Sequence, residues 1–487
     1  MASLFTFKAL YGAYLDCRRK KRRKRFAQEF EVNLEENLFD LVEELSTKRY
    51  QPSPSFCFVA KNDKFREVFA APFRDRVVHH LLVRHLEKIW EPIFIHDSFA
   101  CRQGKGTHAG VLRLQSLTRK VSRISTRGAW FGQFDIKAFF PSIDRRLLLD
   151  MVLSRLADSE MRWLAEVVIL HDPTENSIYK CSPAKWDNIP EHKSLFSVEK
   201  GKGLPIGNLT SQFFANVYLD ALDQFVKHRL KVRFYLRYVD DFILLHQNKE
   251  QLLIWKGQIK EFLNDVLKLE LHPQRQFIRP LSNGIDALGY IVRPSYLLIR
   301  RRVVENCKRA VINHSRTIIR RGRKGMDLML RPEIYDRFQA TINSYLGHFS
   351  HAASYGLRQG LFENFKILKV LFINRGTSVR QRWARRTRPR FLGHQYYFFR
   401  FQFSGLILFQ VGKFLELFNQ DALWAGDHLG LTMISPRIGF YARCGLPLNR
   451  AQHFIEKLPP LNYLVVVQEQ SSQGALVKRS VRQIHLF

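Results

Sequence analysis

Acidic residues are scarce in this chain. Its 487 residues hold 44 Asp and Glu against 78 Lys and Arg, a formal net charge of +34. A field this positive calls for a polyanionic partner, and nucleic acid is the first candidate. The charge is spread along the whole chain and not gathered on one amphipathic segment, which argues against a membrane-surface protein. Cysteine is sparse as well: no two of Cys17, Cys57, Cys101, Cys181, Cys307 and Cys444 are close enough in sequence for a zinc knuckle or a redox pair. Scattered cysteines fit a reducing cytoplasm. No apolar run approaches the ~20 residues of a membrane span, and the N-terminal charges are followed by no export-type apolar core. Internal repeats and low-complexity tracts are absent. The hydrophobic content of 46% suits a globular chain with sizeable cores, organised as two or three domains.

What is present is a set of carboxylates in a telling context. Tyr238-Val239-Asp240-Asp241 lies between apolar runs and reads as a β-hairpin with acids at its tip. Upstream, Phe134-Asp135-Ile136-Lys137-Ala138-Phe139-Phe140-Pro141-Ser142-Ile143-Asp144 ends another apolar strand on an acid. Between the two lies Gly203-Leu204-Pro205-Ile206-Gly207-Asn208-Leu209-Thr210-Ser211-Gln212, leading into the apolar segment Phe213 to Leu222. Acids held rigidly on strands suit nucleotidyl transfer, in which two hard cations about 4 Å apart clamp the attacking and leaving oxygens. A paired Asp at a hairpin tip is, taken alone, more often a solvated turn.

In this order and spacing the three segments resemble motifs A, B and C of the reverse transcriptase palm. The resemblance implies an α/β (α+β) right-hand polymerase fold with fingers, palm and a helical thumb. It implies Asp135 and Asp240 as the carboxylates bridging two Mg²⁺ ions, with Mn²⁺ as the alternative. Asp241 would be a supporting acid and the Ile136 carbonyl a further ligand. Phe140, five positions after Asp135, takes the place of the steric gate that excludes a 2′-hydroxyl, and Phe139 reads as a core aromatic. Gly207 would let the backbone approach the nascent base pair. Ile206 stands where most reverse transcriptases have glutamine, and Gln212 where most have proline. This variant resembles the enzymes of diversity-generating retroelements, which copy a template RNA with errors opposite adenine. Implied partners are template RNA, the primer/cDNA duplex, dNTPs and a small basic accessory protein, in a cytoplasmic, bacterial or phage-encoded setting. The alternatives are a defence-associated or group II intron-like reverse transcriptase and, from another class, a non-catalytic nucleic-acid-binding protein.

Residues 1–50 read as a basic N-terminal extension, with the run Arg18 to Arg25 and a helix bearing Leu34, Leu38, Leu41, Val42 and Leu45. Residues 51–295 read as fingers and palm, with a hairpin turning near Asn62-Asp63 and a basic glycine-rich turn. In that turn Arg102 and Lys105 are expected to face the triphosphate. Asp172 to Lys200, with its prolines, reads as a loop insertion. Arg275 is the cation nearest the place of the usual motif D lysine, and arginine is too weak an acid to donate its proton there. Residues 296–375 read as a helical thumb with Val304, Cys307, Val311, Ser315 and Ile318 as its packed stripe. Arg301, Arg302, Lys308 and their neighbours, including Arg320, Arg321 and Arg323, would track a duplex backbone.

A basic linker is expected over 376–394. Beyond it, Ile407 to Phe418, Cys444-Gly445-Leu446-Pro447-Leu448, Phe454 to Leu458, Val465 to Gln470 and Val477 to Arg482 are together similar to the first domain of MutS mismatch-repair proteins. A small α/β domain over 395–487 follows from this. That family reads mismatches with a Phe-x-Glu element, here Phe414-Leu415-Glu416. The resemblance implies Phe414 as a wedge and Glu416 as a base contact; the alternative is that Phe414 packs in the core.

Overall fold

A computed structural model describes residues 3–61, 65–321, 326–329, 332–382, 391–458, 463–473 and 476–486. The expected turn at Asn62-Asp63, Arg323 and the arginines of 383–390 lie outside these residues. The chain forms two compact units. One holds Met1–Leu288 with Val292–Ser295, the other Gly289–Ile291 with Tyr296–Phe487.

The N-terminal segment of the first unit is built into its core. Helices Phe7–Arg18, Arg25–Val32 and Leu34–Ser46 bury Leu10, Tyr14, Phe30, Leu38 and Leu41 in the same cluster as Val77, Val78 and Leu82 of helix Phe73–Trp90. The leucine stripe at helical spacing drives this packing. The basic run occupies the turn between the first two helices. Arg18 pairs with Glu31 and Arg25 with Glu29, while Arg19, Arg22 and Arg23 stay exposed.

Two sheets frame the rest of this unit. Strands β1 (Ser55–Lys61) and β2 (Phe65–Ala70) form an antiparallel hairpin, as their alternating apolar pattern predicts. The central sheet has four antiparallel strands: β3 (Trp130–Ile136), β5 (Phe234–Tyr238), β6 (Asp241–His246) and β7 (Leu271–Pro280), in the order β5-β6-β3-β7. A short strand between them in sequence, β4 (Ser177–Tyr179), leaves that sheet and adds in parallel to the edge of β1. Helices Leu209–Gln224 and Lys249–Asp265 supply Phe214, Leu219, Leu252 and Ile259 to the core beneath the central sheet.

In the second unit, helix Arg301–Ile318 buries Cys307, Val311 and Ile318 of the expected stripe. Ser315 hydrogen-bonds back to the Val311 carbonyl at 2.7 Å. Helix Pro332–Phe349 contributes Phe338 and Ile342 to a cluster that continues through Phe399, Phe409 and Val465. A seven-stranded sheet runs in the order Ile319–Arg321, Met326–Met329, Leu476–Leu486, Tyr463–Gln473, Leu406–Val411, Phe414–Phe418, Arg443–Pro447. A hairpin from the expected thumb thus pairs antiparallel with the chain's last strand, Met326 opposite Leu486. Thumb and C-terminal region share a core and a sheet. Part of the stretch read as a linker is built into the fold: Val379 is buried and paired with Asn374, and Arg382 donates to the Gln402 carbonyl at 2.7 Å.

Candidate active site

A cleft of about 650 Å³ opens over one end of the central sheet. Its volume lies in the range that takes a nucleotide-sized ligand. Asp135 forms its floor because of how β3 pairs. Phe134 lies opposite Gln276 and Ile136 opposite Leu271, so His272 to Arg275 bulge out of the ladder beside Asp135. A bulge of this kind re-aims side chains at the rim of a sheet. Here it turns His272, Gln274 and Arg275 into a wall of the cleft. Arg275 Nη1 donates to Asp135 Oδ2 at 2.9 Å.

The second pair of acids sits on the β5–β6 hairpin. Tyr238 pairs with Asp241, leaving Val239-Asp240 as a two-residue loop. Val239 has φ 57°, where hairpin loops usually place glycine. A β-branched residue there costs on the order of 1–3 kcal/mol and needs support from its surroundings. Arg237 gives that support. Its side chain is fully buried, ion-paired with Asp223 at 2.6 Å. It donates to the Val239 carbonyl at 3.0 Å and to Asn216 Oδ1 at 3.2 Å.

Electrostatics mark the acids as a strained group. Desolvation, then the charge of Asp135, raises Asp240 to about 6. Asp241 is exposed by area, yet protein crowds its carboxyl; that crowding, then Asp240 and Asp135, raises it to about 7. Like charges held this close call for a cation.

The remaining walls come from motifs the sequence singled out. Ala138, at φ 45°, turns the chain from β3 into the short helix Phe139–Ser142. Phe139 is buried there, and Phe140 is half-buried and lines the cleft. Ile206 and Gly207 line it as well. Gly207 has φ 131°, and a Cβ there would stand 2.7 Å from the Phe69 carbonyl oxygen. The Phe69 amide in turn donates to the Ile206 carbonyl at 2.8 Å. Only glycine lets the β1–β2 hairpin dock this closely.

Arg102 and Lys105 do not line the cleft. The Arg102 side chain is buried against Glu91, at 2.9 Å, and donates to the Ile95 and Ser98 carbonyls. Lys105 donates to the His96 carbonyl. Glu91, just past the end of helix Phe73–Trp90, captures the arginine expected at the triphosphate. The cations that do reach the cleft are Arg66, on β2, Arg275, Lys193 and Lys137, the last ion-paired with Glu270. Arg66 lies near enough to Asp240 to favour its ionised form. Its signal was an arginine next to Phe65 in the strand Phe65–Ala70. The signal for Arg237 was a charge in the apolar strand leading to the acids.

The second unit holds the other expected contacts. Arg301 and Arg302 are exposed at the start of helix Arg301–Ile318, and Lys308 sits 3.4 Å from Glu305. Phe414 is 50% exposed, just after the Gly412-Lys413 turn, so it does not pack in the core. Glu416 is 4% exposed and turned inward. Its Oε1 accepts from Arg437 at 3.0 Å and Arg443 at 3.5 Å. One oxygen of the expected base contact is therefore engaged inside the fold, because Glu416 lies in the interior of the sheet, between Phe409 and Gly445 of its neighbouring strands, while its Oε2 has no hydrogen-bond partner among the described residues.

Residues 59–292 match the reverse transcriptase (RNA-dependent DNA polymerase) family model, and residues 394–485 match MutS domain I. Group II intron-encoded protein LtrA of Lactococcus lactis subsp. cremoris is 25% identical over 325 residues, covering 53% of this chain and 50% of that protein. Protein YkfC of Escherichia coli is 24% identical over 284 residues, 51% of this chain and 69% of that protein. DNA mismatch repair protein MutS of Aquifex pyrophilus is 36% identical over 87 residues, 16% of this chain and 10% of that protein. The chain thus spans half the length of the intron-encoded relative and a tenth of the repair protein.

Proposed function

We propose that this chain, a reverse transcriptase with a C-terminal MutS domain I-like region, is an RNA-directed DNA polymerase that makes error-prone cDNA in a diversity-generating retroelement. The observation that carries the polymerase reading is the gathering of Asp135 and Asp240 in one cleft with Phe140, Ile206 and Gly207, with Asp241 close beside both acids.

The donor set fits divalent metal. Three carboxylates repel one another, and a cationic side chain already rests against Asp135. Among the described residues, no three His, Cys, Asp or Glu side chains close around one point. Mg²⁺ takes one or two carboxylates and completes its shell with substrate phosphate and water. Asp135, Asp240 and the Ile136 carbonyl would hold the ions, with Asp241 in support. When bound, two Mg²⁺ would activate the primer hydroxyl and stabilise the leaving pyrophosphate. Arg66 and Arg275 balance the triphosphate's charge. The Phe140 ring walls off a 2′-hydroxyl. Arg237 keeps the Val239-Asp240 loop in its strained shape, so the acids need no rearrangement when substrate arrives.

The retroelement reading rests on Ile206. An amide there could hydrogen-bond the nucleotide's surroundings, and an apolar branched side chain cannot. Such a loss relaxes discrimination by about 1–3 kcal/mol. Template RNA, primer/cDNA duplex and a small basic accessory protein are the partners this reading implies, in the cytoplasm. Among the described residues no helix is long and apolar enough to cross a membrane. Primer extension on RNA with sequencing of the product tests the proposal: errors should concentrate opposite template adenine, and Ile206→Gln should reduce them there more than elsewhere. A group II intron-like role is the second reading, favoured by the match to the intron-encoded protein LtrA. It predicts an even error spectrum.

A further inference from the structure

The insertion between Asp135 and Gly207 does not loop away from the cleft. It is fastened down at three points. Strand β4 pairs with β1, Ser177 opposite Ser55. Tyr179 stacks on Phe196, Trp186 meets both rings edge-on, and Phe196 packs against Phe69 of β2 with ring centroids 5.6 Å apart. The third point is Glu67, on β2 and only 5% exposed. Both its carboxylate oxygens are spent on the insertion, accepting from Ser194 Oγ at 2.7 Å and from the Leu195 amide at 2.8 Å. A buried carboxylate is costly unless its bonds are made, so this acid works as a clasp. Leu195 closes the joint against Cys57 and Phe69.

The residues just before the clasp, Ile189, His192 and Lys193, form part of the cleft wall together with Arg66. Lys193 and His192 have exposed side chains, and among the described residues neither has a carboxylate within ion-pair distance. The floor they overlook is the acid cluster, which repels phosphate. An anion can settle over it only if cations line the walls.

We propose that the clasped strap, residues 183–197, belongs to the nucleotide site, with Lys193 and His192 contacting the phosphates of the incoming nucleoside triphosphate. This rests on the polymerase reading above. Glu67, both of whose carboxylate oxygens are engaged by the strap, acts through it as a positioning residue.

The test measures dNTP affinity on the full chain bound to a primer–template whose primer ends in a dideoxynucleotide, so no chemistry is needed. Steady-state kinetics follow on an extendable primer. Lys193→Ala with His192→Ala should weaken dNTP binding and raise its KM about 10-fold, the scale of one or two charge-assisted hydrogen bonds. The kcat should stay within about twofold, with unchanged primer–template affinity and melting temperature. Lys193→Arg should keep most of the affinity. Glu67→Gln, which loses one acceptor of the clasp, should raise KM in the same sense without lowering kcat. Unchanged dNTP affinity in the double variant overturns the proposal. So does a loss of primer–template affinity at constant dNTP KM, which would assign the strap to the template strand. Failure of the parent reading would look different: wild-type protein that binds nucleotide yet extends no primer.

Discussion

Arg237→Met is the most demanding test of how this site is held. Arginine 237 is fully buried and bonded to Asp223, Asn216 and the Val239 carbonyl. Methionine fills much of its volume but leaves the Asp223 carboxylate, also fully buried, facing only the Tyr235 hydroxyl at 2.8 Å. Removing one partner of a buried ion pair costs about 3–5 kcal/mol. At roughly 2 °C per kcal/mol for a unit of this size, melting of the first unit should fall by about 6–10 °C. Pairing Arg237→Met with Asp223→Asn should restore much of that loss, because no charge is then stranded. Activity should not return with it, since the Val239 carbonyl has still lost its donor and the strained loop its brace. Thermal melting and single-turnover extension, read on both single variants and the double, separate these effects. A double variant as stable and as active as wild type would refute the bracing role. A single Arg237→Met variant melting within about 2 °C of wild type would refute the buried-pair argument.

Three further expectations follow from the same geometry. Phe140→Ala should let ribonucleotides into the product, read by alkaline cleavage of the cDNA, at a stability cost of about 1–3 kcal/mol because the ring is only half-buried; unchanged exclusion of ribonucleotides would make Phe140 a packing residue. Asp240 and Asp241 titrate near 6 and 7 in the fold, above the ordinary carboxylate value, so the folded chain holds protons that the unfolded chain has released. Their contribution is therefore most favourable below about pH 4 and is lost as pH rises through 6 and 7. Metal-free protein should melt progressively lower over that window, Mg²⁺ should raise the melting point more at about pH 8 than at about pH 6, and a flat profile would contradict the crowded cluster. In the full chain, Phe414→Ala should remove any preference for mismatched over matched duplex at little cost in stability, whereas Glu416→Ala should destabilise by about 1–3 kcal/mol by stranding the largely buried Arg443; equal binding of both duplexes by wild type would leave this region a docking module.

The acids were legible because their neighbours are local: apolar strands on either side of Asp240 and before Asp135 announce a hairpin and a strand end. Phe140 and Gly207 were singled out by the resemblance to the palm motifs around those acids. What escaped depends on partners distant in sequence. The bulge that brings His272 to Arg275 beside Asp135 is a matter of register between two strands, and no local pattern encodes it. A basic glycine-rich turn reads the same whether its arginine faces phosphate or, as here, Glu91. Glu416 sits two residues from an exposed wedge candidate, yet Arg437 and Arg443 decide that it points inward. Likewise, nothing in Met326–Met329 announces that it will pair with the last strand of the chain, a contact that makes thumb and C-terminal region one body. For that reason the C-terminal region is best tested within the full chain and not as the fragment its sequence match suggests.

The central claim is that Asp135, Asp240 and Asp241 form a working polymerase floor. The most direct measurement is single-turnover cDNA synthesis on a primed RNA template, comparing wild type with Asp240→Asn and Asp135→Asn and recording RNA affinity and melting temperature alongside. Wild type should extend the primer only with divalent metal. Each variant should lose at least about 10³-fold in rate while binding RNA as tightly as wild type and melting no lower, since each removes a charge from a repelling cluster. Extension by either variant at the wild-type rate would contradict the account.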